Sequence, residues 1–201
     1  MSSPPVIFVV GPVGHGKSAA REILARLTHL KGASCSDVIY AFLAFRKDVS
    51  QESLRALPKE SFRPQLIEAG DFMVGTLDAV NEQTAKSAEL DASIYRRPSA
   101  LIRTLYQNGY NVIDGVRRRA ELVEAVDHLD WNGIRSLVIH IHDPRKPRIA
   151  DNSELLSDLC QVSLTNDGTL EQLEEKLKKA LESAFGPLVE PEPMAIVDLP
   201  Q

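Results

Sequence analysis

The first strongly patterned segment of the chain is Val6–Val10, apolar at all five positions and mostly β-branched. A run without alternation predicts a strand buried on both faces, as in a parallel sheet. Ala20, Ile23, Leu24, Leu27 and Leu30 then recur at spacings of three and four, which predicts a helix with one apolar face, ended by Gly32. Residues Ser34–Tyr40 read as a second strand and the turn after it. Ala41–Leu57 and Gln65–Asn81 are helical in composition, with Pro58 and Pro64 punctuating between them. Ser99 can cap a helix running to Asn108, with Gly109 as its stop. Asn111–Asp114 reads as a strand, Arg119–Leu129 as a helix and Leu137–Ile141 as an apolar strand. Asp143–Ala150 is a basic loop broken by prolines. After a last strand at Cys160–Leu164, Thr169 and Gln172 have capping-box spacing for a helix over Leu170–Ala184.

Strands alternating with helices predict an α/β fold with a mostly parallel sheet of about five strands. We expect one domain over residues 1–185. It would carry a helical segment at about 41–108 and a small lid at about 143–157, followed by an extended tail over 186–201 that holds four of the twelve prolines. Ligands of such sheets bind beyond the carboxyl ends of the strands. The segments ending at Val10, Tyr40, Asp114 and Ile141 should therefore converge on one site.

Composition narrows the class. The 201 residues are 43% apolar and 25% charged, as in an ordinary globular domain, and the net charge is −5. That balance argues against a general nucleic-acid binder. No apolar run approaches 18 residues, so no membrane span is expected. The Met1-Ser-Ser-Pro-Pro start carries no basic region, and Cys35 and Cys160 lack metal-ligand spacing. Two reduced thiols in a cytoplasmic chain are the expectation.

Gly11-Pro12-Val13-Gly14-His15-Gly16-Lys17-Ser18 matches G-x-x-x-x-G-K-[ST], between a buried strand and an amphipathic helix. Backbone N–H groups from Gly11 to Ala19 can turn inward around phosphate oxygens, with the helix N-terminus behind them. Lys17 is the candidate for the β- and γ-phosphates of ATP, and Ser18 for Mg²⁺. His15 is expected to serve through its backbone N–H. A glycine-rich turn that binds nothing is the bland alternative, and the strand–loop–helix context disfavours it.

The long helical stretch between the second and third strands lies where nucleoside monophosphate kinases place their acceptor-binding segment. The basic run Arg145-Lys146-Pro147-Arg148 lies where they carry a lid. Two segments sharpen the likeness. Thr165-Asn166-Asp167-Gly168-Thr169-Leu170-Glu171 resembles the carboxyl-terminal turn and helix start of phage-type deoxynucleoside monophosphate kinases, and Ser61–Gly70 is similar to their Arg-containing helix start. The resemblance implies a three-layer P-loop kinase fold and ATP-dependent phosphorylation of a deoxynucleoside monophosphate. It also implies a homodimer, in the host cytoplasm were the chain phage-encoded. Lys17 and Ser18 carry over directly, Arg63 as a contact to the acceptor phosphate, and Asn166, Asp167 and Gly168 as neighbours of adenine. Arg117 and Glu121 keep the family's spacing after the third strand, but Gly115 stands at the expected Asp position and Asp114 one residue earlier. The lid has Asp143 where Arg is usual, with Arg145 after Pro144, and Tyr40 replaces a common Lys near Asp37.

Asp114, at a strand end beside the loop, could hold Mg²⁺ through water, orient the acceptor oxygen, or cap the following helix. Asp37 is either an acceptor contact or an N-cap residue. Arg117 and Arg145 suit charge neutralisation, because a planar guanidinium grips phosphate bidentately. Arg97 and Glu121 are candidates for the acceptor side. Rival readings are a kinase for another small acceptor, a modified nucleotide or a DNA base, and a nucleotide-binding regulator without turnover.

Overall fold

The computed structural model describes residues 3–58, 62–70, 99–147 and 152–187. Residues 188–201 of the expected tail, 148–151 of the expected lid and most of the expected helix over Gln65–Asn81 lie outside the described residues. Five strands form one sheet: β1 (Val6–Val10), β2 (Lys31–Ser34), β3 (Tyr110–Asp114), β4 (Ser136–His142) and β5 (Val162–Thr165). Their order is β2-β3-β1-β4-β5, and every pairing is parallel. The helices are α1 (Lys17–Thr28), α2 (Cys35–Lys47), α3 (Gln51–Arg55), α4 (62–70), α5 (Ala100–Gln107), α6 (Arg119–Trp131) and α7 (Leu170–Phe185).

β1 is central, and all five of its residues are fully buried. Its register sets Phe8 beside Ile113 of β3 and Val138 of β4. Val6, Phe8 and Val10 pack on one face with Leu105 of α5 and Leu122 and Leu129 of α6. Ile7 and Val9 pack on the other with Leu24 of α1 and Leu173, Leu177 and Leu181 of α7. This is why the strand is apolar without alternation: helices cover both faces, and each large side chain so buried is worth about 1.5–3 kcal/mol. A third, smaller core joins Tyr40 and Leu43 of α2, Leu54 of α3, and Phe62 and Leu66 of α4.

Several boundaries differ from the sequence expectation. The segment Ser34–Tyr40 is the end of β2 and the first turns of α2, not a strand. The reason is local: Ser34 Oγ accepts from the N–H of Ser36, and Asp37 Oδ2 accepts from the N–H of Ser34. That capping bond pair starts a helix inside a run whose composition favours strand. α1 ends at Thr28 with His29 in the left-handed region, so Gly32 is a strand residue rather than the stop. The stretch 41–57 is divided at Asp48, also left-handed, and restarts at α3 with Ser50 as its cap. Within the expected lid, Asn152–Leu159 is a 3₁₀ helix whose Leu156 is fully buried. α7 has its capping box as expected, with bonds of 3.3 and 3.0 Å between Thr169 and Gln172.

Candidate functional site

The carboxyl ends of β1, β2 and β3 open onto one cavity of about 640 Å³. Gly14, Gly16, Lys17, Ser18 and Ala19 form its floor. Asp37 and Tyr40 enter from α2, and Arg55 from α3. Asp114 and Arg117 enter from the end of β3 and the loop after it. Topology explains the convergence: parallel strands with crossover helices turn every strand's carboxyl end toward the same side.

Lys17 Nζ lies 2.6 Å from the carbonyl oxygens of both Gly11 and Pro12, which holds its ammonium on the inner turn of the loop. The Ser18 hydroxyl belongs to the first turn of α1 on the cavity side. Asp114 is almost fully buried and pairs in register with Ser34 across β2 and β3. Gly115 follows it with φ +81°, and a Cβ there would come within 2.8 Å of Ser34 Oγ. The close approach of the two loops thus requires glycine, which accounts for the Asp-Gly pair at this strand end.

The outer side of the loop is tied down by residues beyond β4 and β5. His15 is fully buried, and its Nδ1 accepts the backbone N–H of Asp143 at 2.9 Å. Its ring stacks on that of His142, 5.3 Å between centroids. Burial, with the neighbouring His142 second, holds the His15 pKa below its ordinary value. Asn166 Nδ2 donates to the carbonyl of His15 at 3.1 Å, and Lys146 Nζ donates to that of Gly14. Asn166 reaches the loop because Gly16, at φ +99°, has no Cβ to exclude it. Asp143 in turn grips Arg145 through Nε at 2.9 Å and Nη2 at 3.1 Å, and Arg145 also donates to the carbonyl of Asn166. The Arg145 bonds hold the Asp143 carboxyl down at about 2.

The structure therefore gathers Gly14, Gly16, Lys17, Ser18, Ala19, Asp37, Asp114 and Arg117 around one cavity. Other expected residues do not line it. Arg145 lies in the brace over the loop, bound to Asp143, and Asn166 is part of the same brace. Asp167 and Gly168 line a separate depression, where Asp167 pairs with Lys176 at 2.9 Å. Arg63 is on α4 and Glu121 on α6, where burial raises the Glu121 carboxyl pKa despite Arg118 at 3.7 Å. Arg97 and Arg148 lie outside the described residues.

Arg21, Tyr40 and Arg55 are among the cavity residues not singled out as site candidates from sequence. Arg21 had a signal, since it sits one turn beyond Lys17 and shares its helix face. Arg55 had none, because its return to Asp37 depends on how α3 folds back on α2. Its guanidinium lies 2.5 Å from Asp37 Oδ1 and 4.8 Å from the centre of the Tyr40 ring. The His15 side chain was also undervalued, because its partner is remote in sequence.

A five-stranded parallel sheet in this order between layers of helices, with a glycine-rich phosphate-type loop between β1 and α1, is a three-layer α/β fold. No family model and no curated protein matches the chain. Among solved structures it is similar to an APS kinase Cys556Ala mutant from Mycobacterium tuberculosis, with 12% identity and a TM-score of 0.46 over 90% of this chain and 99% of that one. It is also similar to a dephospho-CoA kinase from Campylobacter jejuni, with 15% identity and a TM-score of 0.43 over 90% and 98%. A shikimate kinase from Aquifex aeolicus gives 14% and 0.42 over 88% and 96%. No helix among the described residues is long and apolar enough to cross a membrane.

Proposed function

We propose that the chain is a kinase that transfers the γ-phosphoryl group of ATP to a nucleoside monophosphate, with a deoxynucleotide as the preferred acceptor. The observation that supports this most is the single cavity running from Lys17 and Ser18 to Arg117 and Asp114. It allows a donor phosphate and an acceptor oxygen to meet in line between fixed charges, and phosphoryl transfer needs little beyond that.

The residues present fit the donor. The loop turns backbone N–H groups and the α1 N-terminus toward one point, which suits a triphosphate. Lys17 would exchange its two carbonyl contacts for charge-assisted bonds to the β- and γ-phosphates. The Ser18 hydroxyl and the Asp114 carboxylate are oxygen donors of the kind Mg²⁺ accepts, the second through water. When bound, that ion neutralises phosphate charge. Arg117 is positioned to add positive charge where the acceptor phosphate and the transferring group would lie. The brace of Asp143, Lys146 and Asn166 keeps the loop in one shape throughout, so less of the binding energy goes into ordering it.

One observation favours a second reading. Asp37, Tyr40 and Arg55 line the acceptor side of the cavity, and Arg63 does not. A carboxylate there suits a hydroxyl-bearing acceptor, so a small phosphorylated or hydroxylated metabolite is the alternative.

ADP release with ATP and Mg²⁺, measured over ribo- and deoxynucleoside monophosphates, tests the proposal with Lys17→Ala as control. Release that depends on a deoxynucleotide and is lost in the variant supports it. Release with only a sugar or another non-nucleotide acceptor moves the assignment to the second reading. Nucleotide binding without release for any acceptor leaves a regulator and rejects both.

A further inference from the structure

Arg21 stands between the two halves of the cavity. It is on α1, one turn beyond Lys17, and its side chain is only 16% exposed. Nη1 lies 3.4 Å from Asp114 Oδ1 and 3.6 Å from Asp37 Oδ2, while Nη2 lies 3.6 Å from Glu22. Asp37 spends its other oxygen on Arg55, and its Oδ2 also caps α2. An unbroken line of opposite charges thus crosses the cavity: Asp114 at the end of β3, Arg21 on α1, Asp37 on α2, Arg55 on α3.

We propose that Arg21 is a positioning residue that couples the donor side of the site to its acceptor side. The inference rests on the kinase reading above and extends it to a residue with no assigned role. Sharing decides between positioning and direct phosphate contact. Set among three carboxylates, the guanidinium lies in a locally negative patch and turns its N–H groups to them rather than to a phosphate. Its effect is instead to set where those carboxylates sit. Asp114 and Asp37 are like charges facing one cavity, and without Arg21 they repel each other and any anionic substrate. Asp37 would then no longer be held from the α1 side, and Arg55, which takes its place from Asp37 and the Tyr40 ring, would shift with it. Arg suits the role better than Lys, because a planar fork addresses two carboxylates from fixed directions.

The test is a double-mutant cycle on the full chain with Arg21→Met, Asp37→Asn and the pair. It is read as kcat and KM for whichever acceptor the wild type turns over, beside the Kd for ADP and the melting temperature. A misplaced acceptor wall should lower acceptor kcat/KM by about 10- to 100-fold in Arg21→Met. ADP affinity should stay within about threefold, because the loop and Lys17 are untouched. Arg21→Lys should recover part of the loss. The pair should be little worse than the more damaged single variant, since both act through one link. Losses that multiply would overturn the proposal, because the residues would then act separately. Acceptor kinetics of Arg21→Met within twofold of wild type would overturn it as well. So would a parallel collapse of ADP binding, which marks Arg21 as part of the phosphate loop. The identity of the wild-type acceptor judges the functional reading separately, since the cycle is read on a non-nucleotide acceptor in the same way.

Discussion

The backbone N–H of Asp143 donates to Nδ1 of His15 at 2.9 Å, so the loop after the fourth strand is bonded to a side chain at the apex of the phosphate-type loop. The bond fixes the neutral tautomer, with the proton on Nε2. A histidine there is thus an acceptor first, and its identity matters to a loop usually described by its glycines and lysine.

His15→Ala leaves a buried N–H without a partner and should cost about 1–3 kcal/mol. His15→Gln, which can still accept, should cost less. Urea unfolding at pH 7.5 distinguishes them, and equal losses would show that only volume matters.

The same histidine predicts a pH dependence. Its folded pKa lies below its unfolded one, so the unfolded chain takes up the proton first as pH falls. Stability is intact above about 6.5 and decreases as pH drops from there toward the folded value. Urea midpoints at pH 7.5 and 5.0 should separate more in the wild type than in His15→Gln. An identical separation would remove His15 as the source.

Asp143 works in the same sense, at lower pH. Its carboxyl is held at about 2 by Arg145, so its stabilising effect is complete above the ordinary aspartate range and is lost as pH falls through about 2. Asp143→Asn should therefore be less stable than wild type at pH 7, with the gap closing near pH 2. Acid titration followed by circular dichroism would reveal it. A gap that stays constant would mean the carboxylate charge contributes nothing.

Gly115→Ala places a methyl group 2.8 Å from Ser34 Oγ on a backbone at φ +81°. Such strain costs about 1–3 kcal/mol. Asp114 precedes the position and Arg117 lies two residues beyond it, so kcat should fall along with the melting temperature. Normal melting and normal turnover together would contradict the close approach described here.

The fold was legible where a pattern is forced by burial. β1 sits between two layers of helices, and its five apolar residues announce that. The Thr169–Gln172 spacing announced α7 in the same way, because a cap is made within four residues. The start of α2 was misread for the opposite reason. Its Ser34–Tyr40 stretch reads as a strand and a turn, and the capping bonds of Ser34 and Asp37 outweigh that preference. The cavity floor was legible in Gly16, Lys17 and Ser18, whose placement follows from the strand–loop–helix spacing. Arg55 and the His15 ring were not, since each gains meaning from a partner on another element. From its basic neighbours Arg145 read as a lid residue suited to charge neutralisation. Asp143, two residues away, takes its charge and turns it into part of a brace.

The place of β1 in the sheet also bears on how the chain is made. Its two neighbours are β3 and β4, which begin at Tyr110 and Ser136. A nascent chain therefore carries this apolar strand long before either strand that pairs with it has been made. Until then Val6–Val10 is an unpaired apolar segment, of the kind chaperones shield. Pairings this distant in sequence also slow refolding, so the full-length chain should gain its sheet late and in one cooperative step.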